Sequence, residues 1–330
     1  MAVNANTNET YDVSTIKEDL QDALISISPT DTPVMSAIGR KNVDNTYFEW
    51  SEVDLAAAAS NRQIEGDVGL SNTAPTNAVR KGNYTQISAK VVEVSSTNQA
   101  VNGVADAQTV AKQVAYKLSE MKRDMEKMLL DNVAASAGAS GTARQTAGLP
   151  AFLTTNTAFG TGGSAGTTSG SGEAGYPDAA ATDGTQRAIT EDILKTVIAS
   201  CWDEGAEPSV VLCGSFNKQT ISGFTGNATR YKEAEDSKLN AAIDVYQSDF
   251  GELQIVPARH MRVRTVSSVD YTPDVFVLDP NYAEVAYLQT AKQETLAKTG
   301  LAERRLISCE YGLQITSQKA HGVIADVNAS

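Results

Sequence analysis

Two early stretches of the chain alternate apolar and polar residues with the period of a half-buried β-strand. In residues 45–53, Phe48 and Trp50 fall on one face, and polar or charged residues fall on the other. In residues 84–94 the apolar members of the alternation are Ile87, Ala89 and Val91. We therefore predict two strands that face each other across a long loop.

The loop between these strands, residues 54–82, is polar and built mainly from small residues. It has too few large apolar side chains to form a core, and an isolated two-stranded hairpin is only marginally stable in water. We therefore expect the hairpin to need support from outside itself.

The period changes completely in residues 104–136, where apolar residues recur every three or four positions, as in an amphipathic helix. These residues are Val110, Val114, Leu118, Met121, Met125, Met128, Leu129 and Val133. We predict one helix, about 50 Å long. Its other face is charged, and Lys122 and Glu126 are spaced to pair one turn apart. We interpret this face as solvated, with a partner contact as the alternative.

The N-terminus and the segment after the long helix are less regular. Residues 1–40 are polar at first, then amphipathic, and Pro29 and Pro33 near their end are expected to stop any helix. We interpret these residues as an arm. Residues 136–190 are rich in Gly, Ser, Thr and Ala, and the default interpretation of this composition is a flexible linker.

The C-terminal part mixes helical and strand patterns. Thr190 is expected to cap a helix over 191–204, and Ser215 to cap a second helix. Strands are predicted at SVVLC, LQIV, VFVL and EVAYLQ. In a last long strand pair, one face carries Ile307, Cys309, Tyr311, Leu313 and Ile315. This order predicts an α+β fold and does not favour a Rossmann sheet.

Charge narrows the range of functions. The 330 residues include 40 acidic and 27 basic side chains, a net charge of -13, so we expect no general attraction to nucleic-acid phosphates or anionic lipid. The sequence has no apolar run of transmembrane length, and its first residues lack the features of a signal peptide. We expect a soluble protein made in the cytoplasm.

Metal and disulfide chemistry have little support in the sequence. Cys201, Cys213 and Cys309 lie far apart, and neither His260 nor His321 has a second ligand one helical turn away. We interpret Cys201 and Cys309 as small core residues, and we expect no metal and no cofactor.

Loose matches to phosphate-binding and nucleophilic-serine motifs fall in low-complexity sequence, where chance explains them. One constellation of the penicillin-binding type is kept as an alternative: Ser215 and Lys218 form SxxK, and Lys298 begins KTG. In that chemistry the first lysine eases removal of the serine proton, and the second polarises the substrate carboxylate. Phe250 stands where the SDN element needs asparagine, so we do not expect an enzyme.

An arm, a poorly supported hairpin and a long helix leave surface that other subunits would have to cover. Nine segments, in order along nearly the whole chain, resemble the major capsid proteins of tailed bacteriophages with the Hong Kong 97 fold. These segments are ISPTDTPVMSAIG (27–39), FEW (48–50), GNYTQI (82–87), AGLPAFLTTN (147–156), ATDGTQRAITEDILK (181–195), FNKQTISGFTGNATR (216–230), DVYQSDFGELQIVP (244–257), VLDPNYAEVAYL (277–288) and LAKTGLAERRLISCEYGL (296–313).

This resemblance implies a division of the chain into parts. They are an N-terminal arm (1–40), an extended β-hairpin loop over a neighbouring subunit (41–98), a peripheral domain with the spine helix and the Gly/Ser-rich loop (99–190), an axial domain (191–284) and strands that return to the peripheral domain (285–330).

The resemblance also implies a structural function. Many copies would assemble as hexamers and pentamers into an icosahedral head that encloses double-stranded DNA without binding it specifically. Portal, scaffolding and decoration proteins are the further partners it suggests, and the virion is the final location. The residues we expect at contacts between subunits are Trp50, Arg62, Glu65, Arg80, Lys81, Arg230 and Lys232.

Overall fold

The computed structural model describes residues 28–66, 74–101, 109–171, 173–224, 244–266, 268–298 and 300–327. Its helices are α1 (Pro33–Ala37), α2 (Ser96–Ala100), α3 (Val110–Leu130), α4 (Leu149–Phe152), α5 (Glu191–Asp203) and α6 (Ser215–Ser222). Its strands are β1 (Gly39–Asn42), β2 (Tyr47–Glu52), β3 (Val79–Tyr84), β4 (Gln86–Ser95), β5 (Thr157–Ala158), β6 (Thr167–Thr168), β7 (Pro177–Ala179), β8 (Val210–Cys213), β9 (Val245–Ser248), β10 (Gly251–Pro257), β11 (Arg264–Val266), β12 (Val269–Tyr271), β13 (Val275–Leu278), β14 (Ala283–Thr295), β15 (Ala302–Ile315) and β16 (Gly322–Ile324). Short 3₁₀ turns cover Pro280–Tyr282 and Gln318–Ala320.

Helices and sheets mix along the described chain as the predicted α+β class requires. One sheet has the strand order β1-β14-β15-β4. Strand β1 joins β14 in parallel, and the other pairs are antiparallel. The long pair β14 and β15 is the strand pair predicted near the C-terminus. The five apolar residues predicted on one face of β15 are at most 2% exposed, and α3 packs across this sheet.

Strand β4 pairs with a different partner from the one predicted. It lies antiparallel to β15, whereas β2 pairs with β3, residues 79–84. The prediction that 84–94 completes the hairpin with 45–53 is therefore wrong. Thr85 separates β3 from β4, and β4 belongs to the sheet that also contains β1, β14 and β15.

The apolar alternation in β4 lies on the open side of the sheet. Ile87 is 60% exposed and Val91 is 47% exposed. Helix α3 covers the opposite side, where Lys90 on β4 pairs with Glu120 and Asp124 of the helix at 3.2 and 2.6 Å. A charged residue thus faces the helix because carboxylates meet it there.

The other large sheet in the described ranges has the order β5-β16-β13-β8-β10-β9. Helix α5 packs against it and buries Leu194, Val197, Ile198 and Cys201. The predicted helix over 191–204 is confirmed, and the Thr190 side chain accepts the N–H of Ile193 as a cap should. The strands predicted at SVVLC, LQIV, VFVL and EVAYLQ are also confirmed.

Helix α3 is shorter than the predicted helix over 104–136. It begins after the cap residue Thr109 and ends at Leu130, a length of about 32 Å. Residues 131–136 are not helical, because the Asn132 side chain bonds to both backbone groups of Ala181, at 2.6 and 3.0 Å. That pairing directs the chain away from the helix axis. The first part of the prediction, 104–108, lies outside the described residues.

The segment over 136–190 is not the flexible linker that its composition suggested. Ala147, Leu149, Phe152 and Leu153 are buried in the core shared with α3. The Asp326 carboxylate, 0% exposed, accepts the N–H groups of residues 160 and 184 at 3.0 and 2.8 Å. The small residues of the 136–190 segment allow close backbone contacts rather than mobility. A Cβ at Gly160, for example, would lie 2.0 Å from a carbonyl oxygen.

Two expectations about helix ends are also corrected. Pro33 does not stop a helix but begins α1, in the first turn, where proline needs no N–H partner. Ser215 is the first residue of α6, and Gly214 occupies the cap position. The amphipathic stretch predicted within residues 1–27 lies outside the described residues.

Candidate functional site: the hairpin stem and its loop

The hairpin has a paired base, strands β2 and β3, which we call the stem. Phe48 and Trp50 on β2 are 6% and 9% exposed. Their rings stack with centroids 5.9 Å apart, and Trp50 also contacts the ring of Phe152. The indole Nε1 of Trp50 donates to the carbonyl of Thr316 at 3.3 Å. The stem is therefore anchored in the subunit's own core.

The other stem strand carries a buried polar anchor, Asn83, which is 0% exposed. Its Nδ2 donates to Thr146 Oγ1 at 2.9 Å and to the carbonyl of Leu313 at 2.7 Å. Its Oδ1 accepts the N–H of Ala147 at 3.1 Å. A buried amide with these partners fixes β3 to two distant parts of the chain.

A cluster of tyrosines packs on the outer side of the stem. Tyr84 lies 4.8 Å from Tyr47 and 5.1 Å from Tyr176, measured between ring centroids. Gly82 makes this packing possible, because a Cβ there would lie 2.5 Å from the Tyr47 hydroxyl oxygen. Burial raises the pKa of Tyr47 and of Tyr84, so both phenols stay neutral at physiological pH.

Lys81 forms a buried ion-pair network at the point where the stem meets the glycine-rich segment. Its ammonium contacts the carboxylate of Glu52 across the hairpin and that of Glu173 at 2.8 Å. Glu173 in turn accepts from Gln318 Nε2 at 2.7 Å. Beside this network the N–H of Gly82 donates to the carbonyl of Gly175, and the N–H of Gly175 donates to the carbonyl of Arg80, both at 2.9 Å.

A second ion pair lies at the end of β2. Lys319 contacts Asp54 at 2.9 Å and Glu204 at 3.5 Å. These groups border an open groove of about 460 Å³ that is also lined by Leu55 and Tyr282. The last ordered contacts of the hairpin with its own subunit are made here.

Beyond this groove the described residues of the loop are exposed. The loop residues that the structure describes, 53–66 and 74–78, have no helix or strand, and almost all of them are exposed. Leu55 is 85% exposed and Ile64 is 80% exposed. Both side chains are therefore accessible to another molecule.

The residues predicted at contacts between subunits fall into different environments. Trp50 and Lys81 are buried, and their contacts lie within the subunit. Arg62 and Glu65 are exposed in the loop. The Arg80 side chain is 72% exposed, with Glu49 at 3.6 Å. Arg230 and Lys232 lie outside the described residues.

Several residues that fix the stem are absent from the sequence prediction. Asn83, Glu173 and Lys319 each act through partners far away in the chain, and they have no local motif. The one available signal for Asn83 was its position in a strand among apolar and small residues, where an amide needs partners.

The segments of the acyl-enzyme alternative take part in ordinary structural contacts. Lys218 Nζ donates to the carbonyl of Ile255 at 3.0 Å and lies 3.3 Å from Asp244 Oδ1. Ser248 Oγ donates to the carbonyl of Gly251 within a turn. Ser215 and Lys298 are exposed.

The three cysteines and His321 are buried, whereas His260 is half-buried. Cys201, Cys213 and Cys309 are free and buried, and burial raises the pKa of Cys201 and Cys213 to about 12 and that of Cys309 to about 11. Burial lowers the pKa of His321 to about 4. A search of the described residues finds no group of three or more possible metal ligands.

The residues that the structure describes contain no helix long and apolar enough to cross a membrane.

Comparison with known proteins gives a family and a fold. The family model described as SU10 major capsid protein matches residues 4–328. A curated major capsid protein of Escherichia phage Phieco32 is 32% identical over 125 residues. That match covers 38% of this chain and 35% of the relative, so the chain spans about a third of the relative's length.

Solved structures agree over nearly the whole chain. The capsid structure of cyanophage P-SCSP1u has a TM-score of 0.61 at 10% identity and covers 99% of this chain and 97% of its own. A chain of Microbacterium phage Oxtober96 has a TM-score of 0.60 at 12% identity and covers 95% and 96%. At this identity the likeness establishes the fold, which is the Hong Kong 97 fold of phage capsids.

Proposed function

From the premise that the chain belongs to the SU10 major capsid protein family, a family of structural, shell-forming phage proteins, we propose that it builds an icosahedral head with other copies of itself and that its hairpin loop lies on a neighbouring subunit. The observation that carries this proposal is the contrast within the hairpin. The stem packs in the core of its own subunit, whereas Leu55 and Ile64 in the loop are exposed to water.

The division of the chain follows from the same premise. Residues 1–40 are an arm, 41–98 the extended loop, 99–190 and 285–330 the peripheral domain, and 191–284 the axial domain around five-fold and six-fold axes. The six-stranded sheet supports this division in part: β8, β9, β10 and β13 lie within 191–284, whereas β5 and β16 come from the ranges on either side. Hexamers and pentamers are the capsomers we propose.

The exposed charges near the hairpin are the contact residues that this proposal retains. Arg62, Glu65 and Arg80 point away from the subunit core, and charge pairs across a neighbour would set register more than affinity. Arg230 and Lys232 stay proposed contacts of the axial domain.

The proposed partners beyond other copies are a portal protein, scaffolding or decoration proteins and the enclosed double-stranded DNA. The net charge of -13 supports enclosure without specific binding, because a basic lining would hold packaged DNA in place. We place synthesis in the bacterial host cytoplasm. The role is structural rather than enzymatic, since the family match gives no support to the acyl-enzyme alternative.

Shortening the loop tests the proposal. Residues 56–78 are replaced with a short Gly-Ser turn, which spares Val79 and Arg80 because they belong to β3. We expect a folded subunit with a nearly unchanged melting temperature and a loss of closed shells in electron microscopy. A matched control replaces the exposed pair Asn61 and Gln63 with serine and keeps the loop length.

Two results would contradict the proposal. A shortened protein that does not fold would make the loop part of the subunit core. A shortened protein that builds shells as robust as the parent's would remove the loop from assembly.

A further inference from the structure

Helix α1 begins with an unusual arrangement at its N-terminus. The N–H of Val34 donates to Glu126 Oε1 at 2.8 Å, and the N–H of Met35 donates to Oε2 of the same carboxylate at 2.9 Å. Glu126 lies on α3, ninety-two residues from Val34 along the chain, and is 0% exposed. It therefore does not lie on the solvated helix face where the sequence placed it as a partner of Lys122.

Local residues do not supply this cap. Pro33 has no N–H, and the cap residue Thr32 makes no side-chain cap bond within the described structure. The two N–H groups that follow would lie unpaired in a buried position if the carboxylate were removed. The anionic oxygens also face the positive end of the helix backbone, which favours their charge, although burial raises the pKa of Glu126.

Neighbouring groups hold the same segment of chain. Arg123, one turn before Glu126 on α3, donates to the carbonyl of Pro29 at 3.4 Å. Asp31 lies 3.7 Å from the Nε of Arg259, just beyond β10. Residues 29–35 are thus contacted from both α3 and the segment that follows β10.

The chain on either side of α1 shows where this segment leads. Immediately after α1, strand β1 joins the edge of the four-stranded sheet beside β14. The side of α1 facing β8 and β10 borders a largely apolar cleft of about 230 Å³. Helix α1 therefore lies between the two sheets.

We propose that Glu126 is a latch for the base of the N-terminal arm: it holds residues 33–35 on the spine helix at the junction of the sheets and so fixes the position of the arm's base on the subunit. The inference rests on the proposed function for its consequence in assembly, and on the geometry alone for the latch itself. Glu126 acts as a positioning residue, because its oxygens contact the arm's backbone and no other subunit is needed.

The physical reason for its effect is that the other polar contacts of this segment with distant residues are longer, at 3.4 Å for Arg123 and 3.7 Å for Arg259. The buried apolar residues of α1 and its end are Val34, Met35 and Ile38. A helix of five residues has little stability of its own, so release of its two N–H groups allows the segment to leave α3. If the base of the arm is released, it has more conformations available. Ordering it during assembly then costs more conformational entropy, which opposes assembly.

Amide hydrogen exchange on the unassembled full chain tests the latch directly. In Glu126→Ala we expect exchange at Val34 and Met35 to accelerate roughly tenfold or more, the effect of losing a hydrogen bond to a charged group. In Glu126→Gln one acceptor remains, so one of the two amides should keep protection. The control is Glu120→Ala, on the same helix, whose carboxylate pairs with Lys90 and Lys117 instead.

Assembly is the second measurement. Glu126→Ala should give few closed shells, Glu126→Gln an intermediate yield, and Glu120→Ala close to the parental yield. If Glu126→Ala does not fold, the exchange pattern and shell yield of Glu126→Gln decide the matter. Graded exchange and graded assembly together support the latch.

Three outcomes would overturn the inference. The first is fast exchange at Val34 and Met35 in the parent, and the second is exchange that is the same in parent and Glu126→Ala. The third is faster exchange with an unchanged shell yield, which would leave Glu126 as a purely internal cap. Failure of the loop-shortening experiment would overturn the proposed role of the loop and leave the exchange result standing.

Discussion

The stem and the loop of the same hairpin differ in how deeply their side chains are buried. In the stem, Phe48, Trp50 and Asn83 are at most 9% exposed, and each has specific partners in the core. In the loop, Leu55 and Ile64 are at least 80% exposed. The same hairpin therefore stabilises the subunit through its stem and exposes Leu55 and Ile64 of its loop to other molecules.

The two parts of the hairpin therefore affect different properties of the protein. Changes in the stem act on the free energy of unfolding, since each removes buried contacts. Changes in the loop act on assembly, because the subunit alone gains little from those side chains. Substitutions of matched chemistry at the two ends measure how complete this separation is.

The largest effect is expected for Trp50→Ala. Removing a buried indole leaves a cavity beside Phe48 and Phe152, at a cost of about 3–5 kcal/mol. Denaturant titration of the unassembled subunit measures this loss, with Leu55→Ala as the loop control. Equal losses for the two variants would show that the stem is not more deeply anchored than the loop.

A smaller loss is expected for Asn83→Ala. The carbonyl of Leu313, the hydroxyl of Thr146 and the N–H of Ala147 lose a partner in a buried site, at a cost of about 2–3 kcal/mol. Asn61→Ala makes the same substitution in the loop, where the side chain is exposed, and should change stability by less than about 0.5 kcal/mol. A neutral Asn83→Ala would mean that its hydrogen bonds are replaced by water.

Lys81→Met should cost less again, about 1–2 kcal/mol. It leaves Glu52 and Glu173 facing each other without the shared ammonium, but the Glu173 side chain is 28% exposed and water relieves part of the repulsion. Arg80→Met, on the next residue and 72% exposed, is the control and should be close to neutral. Thermal melting of both variants at low and high salt makes the comparison, and similar losses would refute a special role for Lys81.

The smallest effect on the subunit is expected for the double substitution Leu55→Ser and Ile64→Ser. Both side chains are already in water, so the free energy of unfolding should change by less than about 0.5 kcal/mol. Shell yield should fall, because the loop would lose the apolar contacts it makes on a neighbour. A large loss of stability, or an unchanged shell yield, would contradict the separation of roles.

Patterns along the chain predicted those elements whose partners lie close in sequence. The face of β15 from Ile307 to Ile315 and the helix capped by Thr190 follow directly from periodicity and a local cap. Strand β4 did not follow, because a polar residue such as Lys90 points inward only when Glu120 and Asp124 lie above it. Periodicity identifies a strand, but it does not say which helix covers which face.

The anchors of the candidate site were harder to predict. Asn83 depends on Thr146 and Leu313, which lie 63 and 230 residues away along the chain. Glu126 has the spacing of a solvated helix pair, and its burial follows only from the position of α1. Of the loop predicted over 54–82, the described residues 54–66 and 74–78 are exposed, as their small polar side chains suggest, but residues 79–82 belong to β3.

The placement of the last two strands determines when a newly made chain can fold. Strand β15 lies between β14 and β4, and β16 lies between β5 and β13. Both sheets are therefore incomplete until residues 302–324 have left the ribosome, and pairing across such sequence distances is slow. A chain synthesised only as far as β14 does not present the finished surfaces of a subunit.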